Sequence, residues 1–462
     1  MRLPLVALIL LSTACGARSD LEVSPREEPT PAPEEVCNGV DDDEDGQIDE
    51  GIADLSCGEG ACRVVVAGCI DGRVPTCTPG VPSPEVCNQR DDDCDGAVDE
   101  GLFMEPLAGP TPLVDEAFQG RGLQATPNGL LLTWFKSFNG SSPEPSGFAM
   151  PLDDLGAPAG EQVRLVEPPV VLGPTLAPSL EGRFVAGTCR RFGFSTFPTW
   201  LKLDASGQVI AEEHRVSSSV ECVTSGTDPQ LLWTGERHLF AWMNSQTDAQ
   251  VMLEVSDAEG GGATTRTVID DGDLSVPPRW LQHDGRVALI AGTRPPGGTS
   301  SGLRVLFMDA GGDEVAAPLE LVPPDGIYFY QMKAAVDDEG VVTIVSGTNT
   351  GGVGVVWAAV DMNGEVLAPV TAIPSLDDAS PSALSAREGG GVWLVTVYAS
   401  GQGLLNGIDF LQSEAEVLPL AGPIIGYPVV ASHRGRVTVV YTAIDDDSLQ
   451  YTLWSETFGC AL

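Results

Sequence analysis

Asp284-Gly285-Arg286-Val287-Ala288-Leu289-Ile290-Ala291 reads as a tight turn followed by a run of apolar residues. Glycine lets the chain reverse. A short apolar run bounded by a turn predicts a strand buried on both faces. The same word recurs at Pro127–Trp134, Glu181–Thr188, Gly235–Trp242, Glu339–Val345, Gly390–Thr396 and Arg434–Tyr441. Successive copies stand about 51 residues apart. A second marker runs in phase with the first. A strand ends in an Asp-x-x-Gly turn at Asp153–Gly156, Asp204–Gly207, Asp257–Gly260, Asp309–Gly312 and Asp361–Gly364. Each repeat thus holds two turn-linked hairpins, or four strands.

Four-stranded units at this period are the signature of a β-propeller. The fold class predicted is all-β, a seven-bladed propeller over 102–462, with a β-sandwich array or solenoid as the rival. The last repeat is short and ends at Leu462. The stretch Leu102–Val114 precedes the first marker and is expected to donate the missing outer strand, closing the ring and removing an open edge. The repeats carry no Ser-x-Asp-x-Gly-x-Thr-Trp box and no Trp-Asp blade ending.

Upstream lies a different composition. Residues 35–101 are acidic and cysteine-rich, and one word is written at both ends. Glu35-Val36-Cys37-Asn38-Gly39-Val40-Asp41-Asp42-Asp43-Glu44-Asp45-Gly46-Gln47-Ile48-Asp49-Glu50-Gly51 aligns without gaps on Glu85–Gly101. Alternate side chains point the same way, so Asp41, Asp43 and Asp45 form one set of oxygens, and Gly46 permits the turn that wraps them. Gln47 is expected to add its backbone carbonyl, and Asp49 a carboxylate. The equivalents are Asp91, Asp93, Asp95, Gly96, Ala97 and Asp99. Hard oxygens in this number suit Ca²⁺. Soft or borderline metals want Cys or His, and the four histidines are scattered through the repeats. This is the first part of an EF-hand loop without its twelfth-position Glu, where Ile52 and Leu102 stand. The spacing is similar to the shorter calcium repeats of thrombospondin type 3 or dockerin kind.

The duplicated word resembles a metal-binding motif repeat of exported myxobacterial proteins, a family named after a methanotroph copper protein. The resemblance covers residues 35–101 and implies a metal loop, although these loops offer oxygens that do not suit copper. It also implies a Cys87–Cys94 bond. The first copy departs from the pattern, with Glu44 at the position of Cys94.

The N-terminus reads as a secretory signal, 1–14. Met1-Arg2 is a positive start, and Leu3–Leu11 is too short an apolar stretch to cross a bilayer. Leu11-Ser12-Thr13-Ala14-Cys15 resembles the bacterial lipoprotein signal, which implies that Cys15 becomes the lipidated first residue. Gly16 follows it, which in enteric bacteria favours outer-membrane delivery. Residues 15–34 are Pro-rich and charged, a tether that cannot bury a core.

Setting Cys15 aside, ten cysteines remain, an even number in an exported chain. Cys57, Cys62, Cys69 and Cys77 are expected to make two bonds of open connectivity. Cys189 and Cys222 are placed to staple one blade. Cys37 and Cys460 are left to bond to each other or to stay free.

The formal charge is −42, from 66 acids against 24 Lys and Arg. That excludes nucleic-acid binding and favours cations. The expected function is an exported, lipid-anchored calcium-binding envelope protein, membrane-bound through its lipid, whose propeller binds a protein or glycan. The expectation is that it is not an enzyme. The alternative is a propeller hydrolase of glycosidase or lactonase kind. That chemistry needs converging carboxylates, and Asp270-Asp271, Asp337-Asp338-Glu339 and Asp445-Asp446-Asp447 read as solvated turns.

Overall fold

The computed structural model of the chain describes its residues except 1–34, 86–90, 97–102, 116–118, 137–145, 167–169, 180–182, 193–194, 216–228, 245–249, 259, 274–275, 295–301, 324–328, 349–353, 374–375, 377–378, 388–390, 410–413, 427, 445–450 and 462. It divides into two compact units. One runs to Gly58 and resumes over Arg63–Gly80; the other comprises Glu59–Cys62 and Val81–Leu462. Among the described residues no helix is long and apolar enough to cross a membrane.

The first unit is small. Strand β1 (Leu55–Cys57) pairs with β2 (Val64–Val66). Asp71 and Gly72 are both left-handed, and Ile70 and Arg73 exchange backbone bonds of 3.0 and 3.1 Å around them. That is the tight hairpin turn such an Asp-Gly pair favours. Cys37–Cys69 and Cys57–Cys77 hold this thin unit together.

The second unit is a seven-bladed β-propeller. Six blades are consecutive four-stranded antiparallel sheets spanning 119–166, 170–215, 230–269, 279–321, 329–372 and 379–423. The seventh takes three strands from 429–461, and its outermost strand is β3 (Phe103–Asp115), paired antiparallel to Tyr451–Ala461. The donated outer strand expected at Leu102–Val114 is therefore present. Pro106, Pro110 and Pro112 lie along β3. An outermost strand has one edge with no partner, so missing N–H groups cost little there and discourage pairing with another chain.

The core consists of seven apolar layers, one at each interface between neighbouring blades. Blade 4 shows why its strand is apolar at every position. Val287, Leu289 and Ala291 pack toward blade 3, while Ala288 and Ile290 pack toward blade 5. A period-2 strand between two neighbours has two buried faces and no polar one. The layer joining blade 7 to blade 1, built on Leu130, Leu132, Trp134, Val440 and Leu453, closes the ring with the same chemistry.

The Asp-x-x-Gly turns link the third strand of a blade to its fourth. In four of the five, the Asp carboxylate accepts the N–H groups two and four residues on, as Asp204 does from Ser206 and Gln208 at 2.9 and 3.0 Å. Asp153, Asp309 and Asp361 do the same. The glycine also seals the preceding blade. A Cβ on Gly312 (φ +85) would sit 3.0 Å from Leu239 and 3.1 Å from Val255 of blade 3.

These carboxylates make stability depend on pH. Desolvation pushes the Asp204 carboxyl up, but the Ser206 hydroxyl and the N–H groups of Gln208, Ser206 and Gly207 outweigh it and hold it below its ordinary value. Asp361 is held down in the same way by Asn363, Glu365 and Gly364 against desolvation. The folded chain gives up these protons more readily than the unfolded one. The stabilisation is complete above the ordinary Asp range and is lost as pH falls through the lower, folded values. Urea midpoints should therefore drop as pH falls through and below the ordinary Asp range. Asp361→Asn should shrink that drop, and an undiminished drop would refute the assignment. Asp337 opposes the trend: burial raises its carboxyl against bonds from Val341, Gly391 and Glu339.

Candidate metal centre

The first acidic loop is built from backbone bonds to its own carboxylates. Asp41 Oδ1 accepts the N–H of Asp45 at 3.1 Å, and its Oδ2 that of Gly46 at 2.9 Å. Asp43 Oδ1 accepts the Asp45 N–H at 3.0 Å. Glu44 is left-handed (φ +62) and Gly46 more so (φ +98), which wraps the loop. The second loop repeats this. Asp91 accepts the N–H groups of Asp95 and Gly96, each at 2.9 Å, and Asp93 that of Asp95 at 3.1 Å. Cys94 (φ +65) stands where Glu44 does, and Gly96 (φ +93) where Gly46 does.

A clamp on each loop was missed in reading the sequence. Glu35 Oε1 accepts the N–H groups of Asp42 and Asp43 at 2.7 and 2.9 Å, and its Oε2 accepts that of Asp49 at 2.9 Å. Glu85 accepts the Asp93 N–H at 2.8 Å. The signal was available, because the duplicated word begins at these glutamates, six residues ahead of the first Asp.

Several carboxylates converge. Ligand oxygens of Asp41, Asp43 and Asp45 lie within 4.8 Å of one another, as do those of Glu35, Asp43 and Glu50, so Asp43 belongs to both groups. In the second loop Glu85, Asp91 and Asp93 form such a group. Asp91 and Asp92 are buried there, whereas Asp45 is exposed. Glu50 Oε2 is shielded from solvent and has no hydrogen-bond partner. A backbone bond draws the Glu50 carboxyl down, but desolvation and the charges of Glu35, Asp45 and Asp43 outweigh it and leave it above its ordinary value. An orphaned oxygen among like charges fits a hard cation, which would supply the missing partner.

The remaining expected ligands fall elsewhere. Asp49 accepts the N–H groups of Asn38 and Gly39 at 2.8 and 3.0 Å and lies beside the Cys37–Cys69 bond, apart from the Asp41–Asp43–Asp45 group. Gln47 donates both its backbone and side-chain N–H to Asp45. Ala97, Asp99 and Cys15 lie outside the described residues.

The disulfides correct the expected pairing. Cys94 bonds Cys62, not Cys87, and Cys37 bonds Cys69, not Cys460. Only Cys57–Cys77 joins two of the four intervening cysteines. The reason is reach. The intervening segment returns to each loop, so Cys69 and Cys62 lie 5.4 and 6.0 Å (Cα–Cα) from their loop partners. Cys189 and Cys460 are also disulfide-bonded; Cys222, expected to pair with Cys189, lies outside the described residues.

No protein-family model matches the chain, and no characterised protein matches it in sequence. Solved structures match the fold. Polysaccharide lyase Uly1 is 11% identical, with 79% of this chain and 94% of that chain covered, at a TM-score of 0.52. The β-propeller domain of the Trilobed protease from Pyrococcus furiosus is 10% identical over 74% and 94%, at 0.44. An α-L-arabinanase from Penicillium chrysogenum is 13% identical over 62% and 92%, at 0.41. At these identities the likeness is one of fold.

Proposed function

We propose that this chain is an exported, lipid-anchored protein of the cell envelope whose two acidic loops bind Ca²⁺ and whose propeller binds a protein or glycan. The observation that carries the cation reading is the shielded, unpartnered Glu50 Oε2 beside Glu35 and Asp43. The disulfides support export, since such bonds persist in oxidising compartments. The anchor rests on Cys15 and the signal-like residues before it, and the outer membrane is the destination that Gly16 favours. In this reading the loops stiffen the stretch between lipid and propeller.

Calorimetric titration of the full, chelator-stripped chain with Ca²⁺ tests the cation reading. Two binding events are expected, and absence of heat would sink it. Cys15→Ala should move the protein from the membrane fraction to the soluble fraction.

A second reading is a propeller enzyme acting on glycans, with the loops as its stalk. Its support is the shared fold of polysaccharide lyase Uly1, matched over 94% of that chain. Release of new chain ends from a polysaccharide would favour it.

A further inference from the structure

The second acidic loop is pinned from outside at two points. A single turn, in which Cys62 donates its N–H to Glu59 O at 2.9 Å, lies against it. From this turn Ala61 donates its N–H to Asp91 O at 2.9 Å, and Cys62 bonds Cys94. Gly60 (φ +52) approaches so closely that a Cβ there would sit 2.2 Å from Asp91 O. Both points fall inside the run of loop carboxylates. Asp91 begins it, and Cys94 stands between Asp93 and Asp95. The other two disulfides of the acidic stretch are placed differently. Cys57–Cys77 starts from strand β1, and Cys37 precedes Asp41 of the first loop. Neither has a sulfur between two loop aspartates.

The pinning opposes charge. Ligand oxygens of Glu85, Asp91 and Asp93 lie within 4.8 Å of one another. Like charges this close repel, so a cation or a rigid frame must hold them. The carboxylates are also tied to the loop backbone. Asp91 accepts the N–H groups of Asp95 and Gly96, and Glu85 accepts that of Asp93. A backbone released at Cys94 can therefore part the carboxylates. A site that is competent for only a fraction of the time loses apparent affinity by that fraction.

We propose that the Cys62–Cys94 bond and calcium at the second loop are coupled, so that reducing the bond weakens the site. This rests on the reading of the loops as calcium sites and adds a regulation to one of them. Coupling is reciprocal: a bond that tightens calcium binding is itself stabilised by calcium.

The covalent step is thiol–disulfide exchange with an external dithiol. Cys62 is buried and Cys94 half-buried, so the incoming thiolate attacks Cys94 Sγ. The S–S bond breaks, a mixed disulfide forms at Cys94, and Cys62 leaves as a thiolate that takes a proton. The second sulfur of the dithiol then displaces Cys94, which leaves as a thiol. The dithiol is oxidised to its disulfide, and two electrons and two protons pass to the protein.

Two measurements on the full chain test the coupling. In Ca²⁺ calorimetry, Cys62→Ser/Cys94→Ser should weaken one binding event about tenfold and leave the other unchanged. In a redox titration of the unaltered chain, read by thiol labelling and peptide mass, the Cys62–Cys94 midpoint should fall by about 30 mV in saturating Ca²⁺. That is the same tenfold for a two-electron couple. The Cys57–Cys77 midpoint should not move. The redox titration needs no variant, so it decides the matter if the double variant fails to fold. Unchanged affinities in a folded variant, or an unmoved Cys62–Cys94 midpoint, would overturn the coupling and leave the calcium reading standing. An equal shift at Cys57–Cys77 would show general protection by calcium and overturn the assignment to this bond. No heat from the unaltered chain would overturn the calcium reading and the coupling with it.

Discussion

Deleting residues 103–115 from the full chain is expected to lower the melting temperature by roughly 10 °C or more, or to abolish the cooperative transition. Strand β3 buries little of itself, so its weight lies in what it completes. It pairs along Tyr451–Ala461, and Thr452 Oγ1 donates to Asp115 Oδ1 at 3.0 Å. Met104 packs into the layer between blades 6 and 7, while Leu113 and Val114 pack into the layer between blades 7 and 1. Without β3, the backbone groups of the third strand of blade 7 lose their partners beside the buried Leu453 and Phe458. At about 1 kcal/mol for each ladder bond, the loss approaches about 5 kcal/mol. That is comparable to the whole stability of many domains, about 5–15 kcal/mol. A synthetic peptide of residues 103–115 should restore the transition by adding the strand in trans. An unchanged melting temperature in the deleted chain would show that the ring closes some other way.

The closing strand was legible because its absence was. Seven turn-strand words with a short final repeat leave one strand to be found, and only the stretch before the first word remained to supply it. The blades were legible for a related reason. A strand apolar at every position must have neighbours on both faces, and Val287–Ala291 divides itself between two interfaces as that rule requires. The disulfides were not legible. Spacing leaves connectivity open, and the bonds follow from how the segment 55–77 turns back, which depends on hairpins as small as Asp71-Gly72. The glutamate clamps were half legible. The repeat marked Glu35 and Glu85, but only the folded loop shows that they hold backbone N–H groups.

The second large effect is expected at Asp43. It is the one residue shared by both carboxylate groups of the first loop. Asp43→Ala should remove one of the two calcium-binding events in calorimetry and leave the other. Glu50→Gln should act differently. It removes a charge that Glu35, Asp43 and Asp45 repel, so it should stabilise the ion-free loop while weakening calcium binding. A turn that is merely solvated would show the first effect without the second. The two loops should also differ in how much they need the ion. The second has buried Asp91 and Asp92 and is tied through Cys94 to Cys62, so its shape is held covalently. Glu44 occupies that position in the first loop and adds a charge in place of a bond. On chelation, hydrogen exchange at the Asp45 and Gly46 amides should accelerate strongly, while the Asp95 and Gly96 amides stay protected. Exchange that speeds up equally in both loops would show that the disulfide does not set the shape of the second. Exchange unchanged in both would show that neither loop is organised by a cation.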